Sequence, residues 1–321
     1  MRLIKLKGMR RVNGLHFAPD GQKLLAVGGY EVRSCDNAAW IDTATGEETL
    51  RVGLRAISYA VSADLTKIAV GDAAPDEYAD ERIPVAVFDP AGVDWPYYDF
   101  HTVIPAGRSL TDVFALAFAP DGKKLAVSYY REGRGGYRTA FRTAVFPLGR
   151  GKSVEVINRN PDEFTVSLFA YSPDGKLLAC DGGEEDKPMV KVLNAKTLAP
   201  IRTIFPKGSQ TRQLLYSPDG DILAIAQTKS VVCMSADSDV PRAALSHPKQ
   251  VNAVAFTPNG RRILSTCTDQ LLRIWDTATG QLLTSYGWVI GQIAAVAVSP
   301  DGLTAAVGGQ KGQVALFDLD G

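Results

Sequence analysis

The stretch that decides the fold runs Val251-Asn-Ala-Val-Ala-Phe-Thr-Pro-Asn-Gly-Arg-Arg-Ile-Leu-Ser-Thr-Cys-Thr-Asp-Gln-Leu-Leu-Arg-Ile-Trp-Asp-Thr-Ala-Thr-Gly280. Val251, Ala253 and Ala255 alternate as a strand does, and Pro258-Asn-Gly260 then presets a tight turn, Pro fixing φ and Gly accepting a positive one. Ile263 to Thr266 reads as a second strand and Leu272 to Trp275 as a third. Asp276-Thr-Ala-Thr-Gly280 is another turn, in which Asp bonds backbone amides ahead of it while Gly takes the left-handed position. Gln281 to Tyr286 is a fourth, outer strand. The unit is a four-stranded antiparallel meander.

The same unit recurs through the chain, marked by an aromatic residue or Val, a small residue and Pro-Asp-Gly. It stands at Phe17-Ala-Pro-Asp-Gly21, Phe118-Ala-Pro-Asp-Gly122, Tyr171-Ser-Pro-Asp-Gly175, Tyr216-Ser-Pro-Asp-Gly220, Phe256-Thr-Pro-Asn-Gly260 and Val298-Ser-Pro-Asp-Gly302. A degraded copy, Val61-Ser-Ala-Asp-Leu65, is recognised by the Lys67-Ile-Ala-Val-Gly71 that follows it. The steps between turns are 44, 57, 53, 45, 40 and 42 residues, and Asp42-Thr-Ala-Thr-Gly46 repeats the second turn letter for letter. Repeats of this period mean stacked supersecondary units.

Repeat length, Ser-Pro-Asp-Gly turns and the Trp275-Asp276 pair together resemble the WD-repeat β-propeller family over essentially the whole chain. The resemblance implies an all-β, seven-bladed propeller of four-stranded antiparallel blades, one domain over residues 1–321, and a role in binding proteins without catalysis. Only one repeat keeps the true Trp-Asp pair; elsewhere the position reads Ile41-Asp42, Phe88-Asp89, Phe146-Pro147, Leu193-Asn194, Met234-Ser235 and Phe317-Asp318. A buried network of His247, Asp269, Ser265 or Thr266, and Trp275 is therefore expected in the sixth repeat alone. The chain stops just after a third strand, while Arg2-Leu-Ile-Lys-Leu-Lys7 alternates like a strand, so this segment is expected to complete the last blade and close the ring.

Function is sought where repeats depart from their average. From the first turn to the position of Asp276, the spacings are 21, 24, 25, 19, 15, 16 and 16 residues, so the first four repeats carry long loops between their second and third strands. Asp72 to Arg82 is acidic, and so is Asp181-Gly-Gly-Glu-Glu-Asp186. Between them Tyr129 to Arg142 holds four arginines and four aromatics in fourteen residues, with Asp94-Trp-Pro-Tyr-Tyr-Asp-Phe100 in the lengthened connection beside it. Tyr, Trp and Arg combine contact area with directional polar groups and concentrate at interface hot spots. The expected partner-binding residues are Trp95, Tyr97, Tyr130, Arg131, Arg134, Tyr137 and Arg138. The competing reading pairs these arginines with the flanking acids and packs the aromatics beneath them.

Lys+Arg and Asp+Glu are equal at 35 each, which removes any long-range attraction to nucleic acid or anionic lipid. No apolar run reaches spanning length, and the N-terminus lacks the pattern of a signal peptide. Cys35, Cys180, Cys233 and Cys267 share no short spacing and read as reduced structural thiols of a cytoplasmic protein. His16, His101 and His247 fall in different repeats, so no metal site is expected, and neither a catalytic set nor a cofactor motif is found. The expectation is a monomer that binds a protein or peptide and neither nucleic acid nor membrane. An enzyme or small-molecule receptor with its site at the channel mouth is the alternative.

Overall fold

The structure, a computed structural model, describes residues 1–28, 37–53, 58–73, 83–90, 101–102, 110–132, 138–148, 154–158, 166–184, 187–207, 210–287 and 290–319. Among them, the strands form seven four-stranded antiparallel sheets, the blades of a seven-bladed β-propeller. The expected fold class holds. By contact the chain divides into two compact units, Met1–Gly53 with Gly208–Gly321, and Leu54–Lys207.

The first unit holds blades 5, 6, 7 and 1. Blade 1 is β2 (Gly14–Phe17), β3 (Lys23–Gly28), β4 (Asn37–Asp42) and β5 (Glu48–Gly53). Blade 5 is β18 (Thr211–Tyr216), β19 (Ile222–Gln227), β20 (Ser230–Ser235) and β21 (Pro241–Ser246); blade 6 is β22 (Val251–Phe256), β23 (Arg262–Cys267), β24 (Leu271–Asp276) and β25 (Leu282–Gly287). Blade 7 combines β26 (Ile293–Val298), β27 (Thr304–Gly309) and β28 (Gln313–Asp318) with β1 (Arg2–Lys5) from the other end of the chain. Successive blades meet through apolar layers, such as Leu15, Leu24 and Ile41 of blade 1 against Ile4, Val314 and Leu316 of blade 7. Amide side chains tie the inner strands. Gln213 donates to Val254 O at 3.2 Å and accepts Val254 N–H at 2.9 Å, and Asn252 donates to Ile293 O at 2.6 Å.

The N-terminal strand completes blade 7 as expected. β1 lies antiparallel to β28, Arg2 opposite Leu316 and Ile4 opposite Val314. Past the strand, Leu6 N–H bonds Gly312 O at 2.8 Å and Val12 N–H bonds Gly309 O at 3.1 Å; Leu6 is 1% exposed. Arg2 also reaches the Asp42–Gly46 turn of blade 1, donating to the carbonyls of Thr43 and Ala44.

The second unit holds blade 2, with β6 (Ser58–Val61), β7 (Ile68–Ala73), β8 (Ile83–Phe88) and β9 (His101–Thr102), and blade 3, with β10 (Leu110–Phe118), β11 (Lys124–Glu132), β12 (Arg138–Pro147) and β13 (Val154–Asn158). Blade 4 is β14 (Phe169–Tyr171), β15 (Leu177–Glu184), β16 (Lys187–Asn194) and β17 (Pro200–Ile204). Here hydroxyls replace the amide clamps: Ser58 donates to Val113 O at 3.3 Å and Ser128 to Val166 O at 2.6 Å.

The repeated turns show why the motif needs its residues. In Tyr171-Ser-Pro-Asp-Gly175, Ser172 Oγ donates to Asp174 at 2.6 Å and accepts Leu177 N–H at 2.9 Å, while Gly175 sits at φ 70°. The hydroxyl bond holds the Asp174 carboxyl well below its usual range, at about 2. The degraded copy keeps this geometry: Ser62 donates to Asp64 at 2.6 Å and accepts Lys67 N–H at 2.8 Å, with Leu65 forced to φ 56°. Ser and Asp make the turn; Pro and Gly make it easier.

Candidate interaction surface

Blade 3 departs furthest from the average blade. β11 and β12 run 9 and 10 residues, against 6 for each of the corresponding strands of blades 5, 6 and 7. They pair continuously through Tyr129–Arg142, Tyr130–Phe141 and Arg131–Ala140, and after a register shift Glu132 faces Arg138. The segment read as a long loop is therefore largely a β-ribbon, because Val127 to Arg131 and Arg138 to Val145 keep the β-favouring residues that extend pairing. β10 joins it, Leu110 opposite Arg131 and Thr111 opposite Tyr130.

Of the expected contact residues, Tyr130 and Arg131 lie in β11 and Arg138 begins β12. Trp95, Tyr97, Arg134 and Tyr137 lie outside the described residues. The base of the ribbon is core: Phe141 is 1% exposed, Tyr129 is buried, and Phe141 stacks obliquely on Phe114 at 5.6 Å. Arg142 is buried too, at 8% exposure, so of the fourteen residues first read as one loop, both ends serve packing. The acidic run beside it is also divided. Asp181 is a buried residue of β15 that accepts from Ser167 N–H at 2.8 Å, Leu168 N–H at 2.7 Å and Ser167 Oγ at 2.5 Å, whereas the sequence reading put it on a surface loop. Burial raises its carboxyl above the usual range in spite of these bonds.

Two clefts open beside the first turns. One, of about 470 Å³, lies between blades 3 and 4 and is lined by Pro120, Asp121, Lys124, Tyr171, Pro173 and Asp174. Burial first, and the Asp121 charge second, push the Tyr171 hydroxyl above its usual range. The other, of about 440 Å³, lies between blades 7 and 1, where Arg2, Thr43, Ser299, Asp301 and Asp318 are among the polar lining groups. Neither holds a nucleophile next to a base. Among the described residues no three His, Cys, Asp or Glu side chains gather as metal ligands would.

The sixth blade contains the expected network with one change. Trp275 Nε1–H donates to Ser265 Oγ at 2.8 Å, and Ser265 Oγ lies 2.8 Å from His247 Nε2. His247 Nδ1 lies 3.0 Å from Leu245 O, which can only accept, so Nδ1 carries the proton and Nε2 accepts from Ser265. Every donor thus has one acceptor, from indole to hydroxyl to imidazole to carbonyl. Asp269 does not join His247, as the sequence reading had it. It forms a two-pronged pair with Arg273, at 3.2 and 2.6 Å, and accepts Leu271 N–H at 3.2 Å. The physical reason is that the imidazole has already spent its donor on Leu245, while a guanidinium fits a carboxylate bidentately. Arg273 was not singled out by sequence, although its offset of four from Asp269 across the turn was visible.

Residues 239–276, ending on Trp275-Asp276, match the family model described as WD domain, G-beta repeat. Over 161 residues, 49% of this chain, the protein is 29% identical to an uncharacterized WD repeat-containing protein of Synechocystis sp., covering 45% of that relative. Over 76 residues, 23% of this chain, it is 37% identical to the small ribosomal subunit protein RACK1 of Neurospora crassa, covering 24% of it. The matched stretch is less than half the length of either relative.

Proposed function

Since the chain is a WD-repeat β-propeller, we propose that it is a non-catalytic interaction module that presents the elaborated rim of blades 2 to 4 to a protein or peptide partner. The observation that carries this reading is the lengthened β11–β12 ribbon. Its base is anchored in the core by Tyr129, Phe141 and Arg142, and its outer part carries Tyr130, Arg131 and Arg138 with Arg134 and Tyr137 between them. A stiff ribbon offers its side chains at low ordering cost, which favours affinity. Trp95 and Tyr97 extend the same surface. The balanced charge supports a protein partner over a polyanion, and the module acts as one domain, in the cytoplasm, as a monomer and without a cofactor.

The test is a full-chain variant with Arg131→Ala and Arg138→Ala, used beside the unaltered chain to recover partners from the native source. Recovery of the wild-type partner should fall sharply while the melting temperature stays within about 1 to 2 °C, since exposed charges contribute little to stability. A large stability loss with partner recovery intact would assign these arginines to structure and end the proposal.

A further inference from the structure

A blade ends on an outer strand whose far side is an open edge, and such edges are guarded by charge, proline or shortness. Six of the seven described outer strands follow this rule. β1 carries Lys5, β5 Arg51, β13 Glu155, β17 Pro200 and β21 Pro241, and β9 is two residues long. β25, Leu282-Leu-Thr-Ser-Tyr-Gly287, has six residues with neither a charged side chain nor a proline. Leu282 and Leu283 are 48% and 50% exposed, and Ser285 is exposed as well. A bulge interrupts its pairing beside Leu283, but β5, β17 and β21 carry a bulge at the same place, so this does not set β25 apart.

The strand is also held in place. Leu272 faces Tyr286 and Ile274 faces Thr284 across the pair with β24, and the Tyr286 ring packs on Phe317 of blade 7 at 5.9 Å. Its sheet ends there, with β24 on one side and no strand on the other. Alternate backbone N–H and C=O groups of an edge strand point outward, which is what a strand-adding ligand uses.

We propose that the outer edge of blade 6 accepts an extended, uncharged, apolar segment of a partner protein as a fifth strand. The backbone of Thr284 to Gly287 pairs with it, and its side chains cover Leu282 and Leu283. An uncharged segment fits because nothing on β25 would pair with a charge, and a charge laid against the two leucines would be desolvated without return. A second copy of the chain is a poorer occupant. Two six-residue edges meeting side by side form a ribbon about 20 Å long and one strand wide. That falls far short of the roughly 800 Å² per partner that stable interfaces bury. This edge belongs to a different blade from the rim discussed above, and the two proposals stand or fall separately.

The probe is a phage-displayed library of random 12-residue peptides selected on the full-length protein. Enriched sequences should alternate Val, Ile, Leu, Tyr or Thr without a central charge. A synthesised winner should bind at least tenfold more weakly to the Leu283→Lys and Ser285→Lys variants at unchanged melting temperature, and should slow amide exchange at residues 284–287. Absence of such sequences, or equal binding to both variants, overturns the proposal. Self-association of the wild-type chain in sedimentation, abolished by Ser285→Lys, would assign the edge to a second copy and overturn it equally.

Discussion

Ser265→Ala is the change whose cost the structure defines best. Its hydroxyl is fully buried and serves two neighbours at once, accepting from Trp275 and donating to His247. Removing it strands the indole N–H and the imidazole Nε2, and each buried group left without its bond costs about 1–3 kcal/mol. The total expected is about 3–4 kcal/mol, a large share of the stability on the order of 5–15 kcal/mol of an ordinary domain. Trp275→Phe removes the indole donor and part of a ring packed among Val251, Val254, Ile263 and Leu245, for about 2–3 kcal/mol. In the double variant the N–H that Ser265→Ala would strand no longer exists. The combined cost should therefore undershoot the sum by about 1–2 kcal/mol. Urea denaturation of the four proteins, followed by far-ultraviolet circular dichroism so that loss of a Trp does not alter the signal, measures this difference. Additivity within about 0.5 kcal/mol would mean the two side chains do not share the hydroxyl, and the directional chain from indole to carbonyl would be wrong.

Deleting residues 1–7 removes β1 with Ile4 and Leu6, whose burial contributes roughly 1.5–3 kcal/mol each, and limited proteolysis should find blade 7 cut far faster than in the full chain. An unchanged melting temperature would show that blade 7 stands without its fourth strand. Burial lowers the His16 pKa to about 4, and burial together with the Arg273 charge lowers that of His247. Both favour the neutral ring in the folded state, so their stabilisation is complete above pH 6.5 and is lost as pH falls towards 4; denaturation midpoints between pH 7 and 4 should decline through that window, and His247→Gln should flatten part of the decline. Cys180 and Cys233 are pushed up to about 12 by burial, and the fully buried Cys267 is also raised, so a disulfide-exchange reagent should reach these three only on unfolding; rapid reaction of any of them in the native state would contradict their placement.

The fold was legible because its information is local and repeated. Pro-Asp-Gly states a turn by itself, and seven statements at one spacing leave little choice of architecture. What sequence blurred were devices in which another residue does the same physical work. Asn194-Ala-Lys-Thr-Leu198 forms the second turn, Asn194 Oδ1 accepting Lys196 and Thr197 N–H at 3.0 and 3.1 Å, yet Leu198 takes φ 58° where Gly46 and Gly280 stand elsewhere. Leu198 is almost fully buried, so its packing against blades 3 and 4 compensates a left-handed backbone that no residue pattern would advertise.

The candidate surface was less legible for a related reason. Composition alone marks Tyr129 to Arg142 as rich in contact-forming residues, but the same types also build cores, and only pairing tells the two uses apart. Within four residues the chain passes from Arg138, at the start of β12, to Phe141, among the largest fully buried side chains. Period-two alternation sends neighbours to opposite faces, so one run of aromatics and arginines anchors a ribbon and furnishes its outer surface at once. The blade 6 edge teaches the converse. Gln281 to Gly287 draws no notice as a string of residues; it stands out only when set against the six other outer strands, each guarded by charge, proline or shortness. In a repeat protein, then, a site is read as a difference between equivalent positions, and the register that makes positions equivalent comes from the structure.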